Sequence, residues 1–292
     1  MTSLDIKQKT IAKEVSLSGV GLHTGKSVTM TFKPAPENNG YSFIRVDLEG
    51  KPLIEADANY VVTTQRGTNL EKHGVTINTS EHVLAALVGL GIDNCIIELD
   101  ASEPPIMDGS SKEFVETISK FGVKNQNARR KYIKILKKFE LKENEKFISI
   151  EPNENSLNVD FELVYSNNVI GKQRNKINFS DNNLASVYTS RTFCLFEDVE
   201  QIKKIGLAKG GSLDNAIVVK DNKILNSSGL RNSKEFVNHK ILDLAGDFLL
   251  SGYRVLGSVT CVQGGHSLSN LFLRALLKDK SNYSMLEPSD SK

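Results

Sequence analysis

RNSKEFVNHKILDLAGDFLL, residues 231–250, reads as one helix. Asn232 or Ser233 is placed to cap its start, and Glu235 in the first turn suits the positive end of the helix dipole. Phe236, Val237, Ile241, Leu242, Leu244, Ala245, Phe248 and Leu249 cover most of its circumference, which predicts a buried helix. The polar residues are ordered. Glu235, His239, Asp243 and Asp247 recur at intervals of four and form a single stripe. A buried stripe of one imidazole and three carboxylates is costly unless something pairs with it. One solution is a divalent cation held by His239 and Asp243 at i and i+4. The other is a plain hydrogen bond between those two residues, and the helix alone leaves both open.

A second fragment, NTSEHVLAALVGLGIDNCIIELD (78–100), is a short helix followed by a strand. Asn78, Thr79 and Ser80 offer caps, and Gly89 or Gly91 ends the helix. VLAALV is apolar on all sides, so Glu81 and His82 sit in the first turn of a buried helix. With His82, His239 and Asp243 around one ion, the protein supplies three N and O ligands. A fourth position stays open for water, the pattern of a catalytic rather than a structural zinc. Glu81, beside a ligand, is placed as general base. His266 follows two glycines at a strand-to-helix turn, where it can protonate a leaving group or stabilise developing negative charge. Asp247 can orient His266, and Thr192 can donate to an oxyanion. This chemistry is metal-assisted hydrolysis of an amide or ester.

Composition sets the frame. The chain has 292 residues, 39% hydrophobic and 25% charged, a globular profile. Thirty-seven Lys and Arg against 35 Asp and Glu give a net charge of +2, which argues against a dedicated nucleic-acid binder. Cys95, Cys194 and Cys261 are widely spaced in apolar settings, as small core residues of a reducing compartment are. The first residues lack the apolar run of a secretory signal. A cytoplasmic location is expected.

Residues 6–33 read as two strands joined by a glycine-rich turn that holds His23, either solvated or touching substrate. SFIRVDL (42–48) is a further strand, and residues 59–79 suggest hairpins, with His73 exposed in a polar turn. Ser110 and Glu113 form a capping box for a helix to about Phe121. Residues 122–131 are polar without periodicity and mark a boundary between domains at 1–126 and 127–292. The second part holds lysine-rich strands, helices near 183–189 and 197–205, a strand after the central helix, and a last helix with Ser267 as cap. The tail after Lys278 is expected to fray. GLAKGG matches neither nucleotide-loop pattern. Each half has antiparallel strands, a buried helix and a following strand. The expected fold is therefore α+β, two similar domains packed through their helices, which brings the two histidine-bearing helices together.

Seven stretches in order carry a resemblance: SGVGLHTGK (18–26), TSEHVLAALVGLGIDN (79–94), EPPIMDGS (103–110), SRTF (190–193), GLAKGGSLDNAIVV (206–219), EFVNHKILDLAGD (235–247) and GGHSLSN (264–270). The chain resembles the UDP-3-O-acyl-N-acetylglucosamine deacetylases, zinc enzymes of lipid A biosynthesis in Gram-negative bacteria. The resemblance implies two α+β domains, each a mainly antiparallel sheet against helices with a small insert. It implies one zinc per chain on His82, His239 and Asp243, Glu81 as base, and His266 as acid or electrostatic partner with Asp247 behind it. Thr192 falls on the oxyanion contact, Lys240 on a substrate contact, Phe193 on a wall near the sugar and His23 near the acyl ester. The second insert, about 194–219, is implied to enclose a passage for the acyl chain, with Ile202 on its apolar helix face. The implied substrate is a UDP-linked acylated amino sugar, the product acetate, and the enzyme is expected to act as a monomer. EPPIMDGS departs from the commoner EIPIMDGS form in a loop read as structural. A zinc hydrolase of another substrate and a non-catalytic metal-bound module are the competing readings. The lack of HExxH, and the presence of GLAKGG and SRTF, count against the first. Glu81 and His266 would be superfluous in the second.

Overall fold

In SVTMTFKP (Ser27–Pro34) the side chains of Val28, Met30 and Phe32 are buried and the alternate ones face outwards. That alternation is the mark of a strand with one face on a core. A computed structural model describes residues 4, 6–181 and 184–288. The first half builds a five-stranded sheet in the order Val15–Val20, Ser27–Pro34, Cys95–Leu99, Tyr41–Arg45, Leu53–Glu55. Only the pair Tyr41–Arg45 and Cys95–Leu99 is parallel. The second half builds a seven-stranded sheet around Arg254–Val262, with Leu157–Val164 parallel to it and Lys146–Pro152 antiparallel. The described helices are α1 (Glu81–Gly89), α2 (Lys112–Phe121), α3 (Ala185–Tyr188), α4 (Phe196–Lys204), α5 (Glu235–Leu249) and α6 (His266–Lys278).

The two halves repeat one plan. A strand (Tyr41–Arg45 or Leu157–Val164) and its antiparallel partner (Leu53–Glu55 or Lys172–Asn178) precede a small three-stranded insert and then a buried helix, α1 or α5. The chain returns as a strand parallel to the first and ends in a further helix, α2 or α6. The inserts are Val61–Thr63, Asn69–Lys72 and Val75–Ile77 in the first half, and Phe193–Leu195, Ile217–Lys220 and Lys223–Ile224, with α4, in the second. This is the α+β architecture expected from the sequence.

α1 and α5 pack against each other between the two sheets. Ala245, Leu249 and Leu250, at the end of α5, join the first core, and Ala85 of α1 joins the second. The crossing is close because position 246 is glycine: a Cβ there would collide with the carbonyl of Glu81. The far end of α1 is closed by arginines of the second half. Arg254 Nη2 donates to the Val88 carbonyl at 3.0 Å, and Arg130 Nη2 to the Gly91 carbonyl and to Asp93 Oδ2, each at 2.6 Å. Positive charge there complements the helix dipole.

Several local expectations are corrected. No side chain caps α5. Asn232 Oδ1 instead accepts from Lys234 N at 3.0 Å and orders the turn before the helix. Glu235 serves less the dipole than a buried ion pair, 2.8 Å from Arg191 Nε, and it accepts Arg231 N at 2.6 Å. The predicted capping box at Ser110 is absent. Ser110 Oγ bonds Asp108 and Lys112 N, and α2 begins at Lys112. α6 begins at His266 itself, so Ser267 does not cap it. Residues 123–129 are a strand paired with Lys7–Ile11, and Tyr283–Leu286, expected to fray, pairs with Tyr132–Ile135. A polar edge strand shows no hydrophobic period, because one face meets solvent and its partner supplies the hydrogen bonds. The expected helix near 183–189 lies partly outside the described residues, and its described part is α3.

The crossing sets an expectation. Gly246→Ala should destabilise the fold by ~1–3 kcal/mol, as overpacking of a tight contact does. The check is the midpoint of denaturant unfolding. A wild-type midpoint would mean that the helices separate without cost.

Candidate active site

The site starts where the first insert enters α1. Thr79 is in the left-handed region at φ 53°, uncommon for a β-branched residue. Its amide donates to Asn69 Oδ1 at 3.0 Å and its hydroxyl to Glu103 Oε1 at 3.0 Å. Ser80 donates to the Thr68 carbonyl from both N, at 3.1 Å, and Oγ, at 3.0 Å. No side chain caps α1, and this hydrogen-bonded entry sets its direction instead.

His82, in the first turn of α1, meets His239 and Asp243 of α5. The ligand atoms of the three buried residues lie within 4.8 Å of one another. The imidazoles of His82 and His239 meet edge to face with centroids 5.0 Å apart. Asp243 Oδ1 stands 3.3 Å from His239 Nε2 and 3.5 Å from His82 Nε2. Asp243 Oδ1, which faces both imidazoles, is buried without a hydrogen-bond partner, which is the kind of deficit a cation removes. His239 Nδ1 lies 3.1 Å from the carbonyl of Ser190. A carbonyl only accepts, so Nδ1 carries the proton and Nε2 offers its lone pair to the cluster. Burial pushes the His239 pKa down to about 3, so it is neutral, as a ligand must be. Burial works against an ionised Asp243, but the imidazoles and the Lys240 ammonium, 2.7 Å from Oδ2, outweigh it and hold the carboxyl well below its usual range. Two imidazoles, that of His239 neutral, and an ionised carboxylate form a donor set that fits zinc.

Beside this cluster stand Glu81 and His266. Burial raises the Glu81 pKa against the pull of His266 and His82. His266 Nε2 is 3.7 Å from Glu81 Oε1 and 3.9 Å from Asp243 Oδ2, and Nδ1 is 3.0 Å from Asp247 Oδ2. Burial would lower the His266 pKa, but the carboxylates of Asp247 and Glu81 raise it to about 10. The α5 stripe thus divides by function. His239, Asp243 and Asp247 face the site, while Glu235 is spent on Arg191.

A cleft of about 380 Å³ opens over these groups. Thr192, Phe193, Lys240, Tyr165 and Lys146 are among its lining residues. Thr192 is pinned by its amide to the Gly109 carbonyl at 2.7 Å. Phe193 packs edge to face on Phe236 with centroids 4.9 Å apart. His23 is not among the residues that line the cleft. Its Nδ1 accepts from Ala208 N at 3.2 Å, so its Nε2–H donates to the Arg66 carbonyl at 3.0 Å, tying the two inserts together. It is not the freely solvated turn residue of the simpler reading, whereas His73 is exposed as expected. Ile202 is the buried residue of α4, on a helix that packs against Phe193–Leu195 and Ile217–Lys220, with Val199 half-buried and Ile205 53% exposed. Thr68, Tyr165, Lys146 and the Ser190 carbonyl escaped the sequence reading, because none stands in a spacing that betrays its neighbours.

Comparison with known proteins agrees with this arrangement. A family model described as UDP-3-O-acyl N-acetylglycosamine deacetylase matches residues 8–278. A protein of Psychrobacter sp. (strain PRwf-1), named UDP-3-O-acyl-N-acetylglucosamine deacetylase, is 41% identical over 284 residues, covering 96% of this chain and 95% of its own. Proteins of the same name from Pseudoalteromonas translucida, 41% identical over 94% of this chain and 92% of theirs, and from Campylobacter hominis, 42% identical over 96% and 95%, are similar to it along nearly their whole lengths. With a match this long and a site built from its two central helices, the chain belongs to the UDP-3-O-acyl-N-acetylglucosamine deacetylase family.

Proposed function

We propose that this chain is a zinc-dependent amide hydrolase that removes the N-acetyl group of UDP-3-O-(3-hydroxyacyl)-N-acetylglucosamine, releasing acetate, in lipid A biosynthesis. The observation that carries the reading is the convergence of His82, His239 and Asp243, with the orphaned Asp243 Oδ1 among them, next to Glu81 and His266. Zinc held there supplies Lewis acidity, polarising the carbonyl and acidifying water. Glu81 takes the proton of the attacking water at its carboxylate, a role suited to a carboxyl whose pKa burial has raised. His266, kept charged by Asp247, offers Nε2–H to the developing negative charge and then to the leaving amine. Thr192, which lines the same cleft, donates to the oxyanion. Lys240 holds Asp243 and presents positive charge to the cleft, and Phe193 closes the side nearest His239. His82 and Glu81, adjacent in sequence, divide the work between holding and reacting.

The acyl chain is assigned to the second insert, about 194–219. Val199 and Ile205 provide apolar surface on α4, Ile202 supports that helix from within, and His23 fixes the insert to its counterpart. No described helix is long and apolar enough to cross a bilayer. Binding of a hydrocarbon chain contributes ~0.8 kcal/mol per buried methylene, enough to position the amide as well as to hold it.

The direct test is acetate release from the UDP-sugar by the purified protein. One zinc per chain is expected by elemental analysis, lost in His82→Ala and in His239→Ala. Full zinc content in His239→Ala would remove α5 from the metal site.

Activity should follow a bell-shaped pH profile. It is lost as pH falls through the raised pKa of Glu81 and as pH rises through that of His266. Glu81→Gln should keep zinc and lose ~10²–10⁴ in rate, as removal of a positioned base does. Asp247→Asn should move the alkaline limb to lower pH, because a carboxylate no longer supports the imidazolium. An unmoved limb would refute the assignment of that limb to His266.

Substrate lacking the 3-O-acyl group should show kcat/KM lower by roughly two orders of magnitude or more, since burial of only four methylenes at ~0.8 kcal/mol each already amounts to that. Similar kcat/KM values for the acylated and deacylated sugars would place the chain outside any binding passage.

A further inference from the structure

We infer that Thr68, which lies outside all seven motifs, is a positioning residue of this site, fixing Asp247 and His266 with its hydroxyl and Glu81 with its amide. The inference rests on the reading of Glu81 and His266 as the groups that move protons. Thr68 is buried, and its Oγ1 is 2.6 Å from Asp247 Oδ1 and 3.1 Å from His266 Nδ1. A carboxylate oxygen accepts, so the hydroxyl proton goes to Asp247. The Oγ1 lone pair then faces His266 Nδ1–H, which is shared with Asp247 Oδ2 at 3.0 Å. Held by two oxygens, the ring cannot turn, and Nε2 is left facing Glu81. Thr68 N donates to Glu81 Oε2 at 2.9 Å, leaving Oε1 towards His266 and the reacting atoms.

Thr68 is itself held. Its carbonyl accepts both Ser80 N and Ser80 Oγ, so its backbone is tied to the start of α1 while its side chain reaches α5 and the first residue of α6. One residue of the first insert thereby joins the catalytic groups of both halves. A plain structural role, a buried hydroxyl that merely finds an acceptor, makes a different forecast: loss of stability with no selective loss in turnover.

Thr68→Val keeps the shape and removes the donor. In protein with full zinc content it should lower kcat by ~10–100-fold, the usual effect of removing a group that orients a reacting one, with KM little changed. Thr68→Ser, which restores the hydroxyl, should recover most of kcat. In an Asp247→Asn background Thr68→Val should cost at most about threefold, because the pathway through Asp247 is already gone. Thr68→Ala removes the same donor and replaces Thr68→Val in these measurements if the valine chain does not fold. A separate readout needs neither metal nor substrate. The Nδ1–H resonance of His266, identified by its absence in His266→Ala, should shift and exchange faster with water in Thr68→Val but not in Thr68→Ser. An unchanged kcat, equal losses with and without Asp247, or an unchanged His266 resonance would overturn the inference. If wild-type protein releases no acetate from the UDP-sugar, the functional reading falls instead, and the resonance still decides where Thr68 acts.

Discussion

The site depends on the contact between Gly246 of α5 and the Glu81 carbonyl of α1. Any side chain at 246 would collide with that carbonyl. The contact lets two helices from opposite halves approach until His82 of one stands among His239 and Asp243 of the other. Ligand sets need placement to within tenths of an ångström. Two buried helices locked by backbone contact supply such placement better than loops do. The doubled plan of the chain also finds its use here: neither half contains the whole site, and the join between them does.

The cost of that join is a group of buried charges. Glu81, Asp243 and Asp247, with His82 and His239, are buried near one centre, and His266 and Lys240 are half-buried beside them. Burying ionised groups is unfavourable unless each is paired. Most are paired in this structure. Lys240 meets Asp243, Asp247 meets both Thr68 and His266, and Glu81 accepts the amide of Thr68. The exception is Asp243 Oδ1, which faces the imidazoles of His82 and His239. That unpaired oxygen lies within the His82–His239–Asp243 cluster, whose geometry could hold a cation.

The pKa directions divide the two histidines by charge. Burial keeps His239 neutral, and the Ser190 carbonyl fixes its tautomer, as suits a ligand. The carboxylates behind His266 hold it charged, as suits a donor to negative charge. His239 faces one carboxylate, itself engaged by Lys240, whereas His266 faces Asp247 directly and Glu81 beyond. The same residue type takes two charge states because its neighbours differ.

Much of this was legible in the residues. A four-residue spacing on an apolar helix picks out His239, Asp243 and Asp247, because the α-helix turns each fourth residue to the same side whatever surrounds it. The same logic places Glu81 and His82 at the start of α1, and alternation in SVTMTFKP marks a strand with one face on a core. Glu235 obeyed the same spacing and was drawn into the stripe, yet it pairs with Arg191, 44 positions away in the chain and invisible to any local period. Strand Val123–Arg129 and the terminal strand Tyr283–Leu286 were missed because their hydrogen-bond partners, not their side chains, make them strands. The tertiary structure alone decided that His23 ties two inserts, that position 246 admits no side chain, and that Thr68 meets Asp247 across 179 residues of chain. Local periodicity reports which way a side chain faces within its own element; what it faces is settled only when distant segments pack.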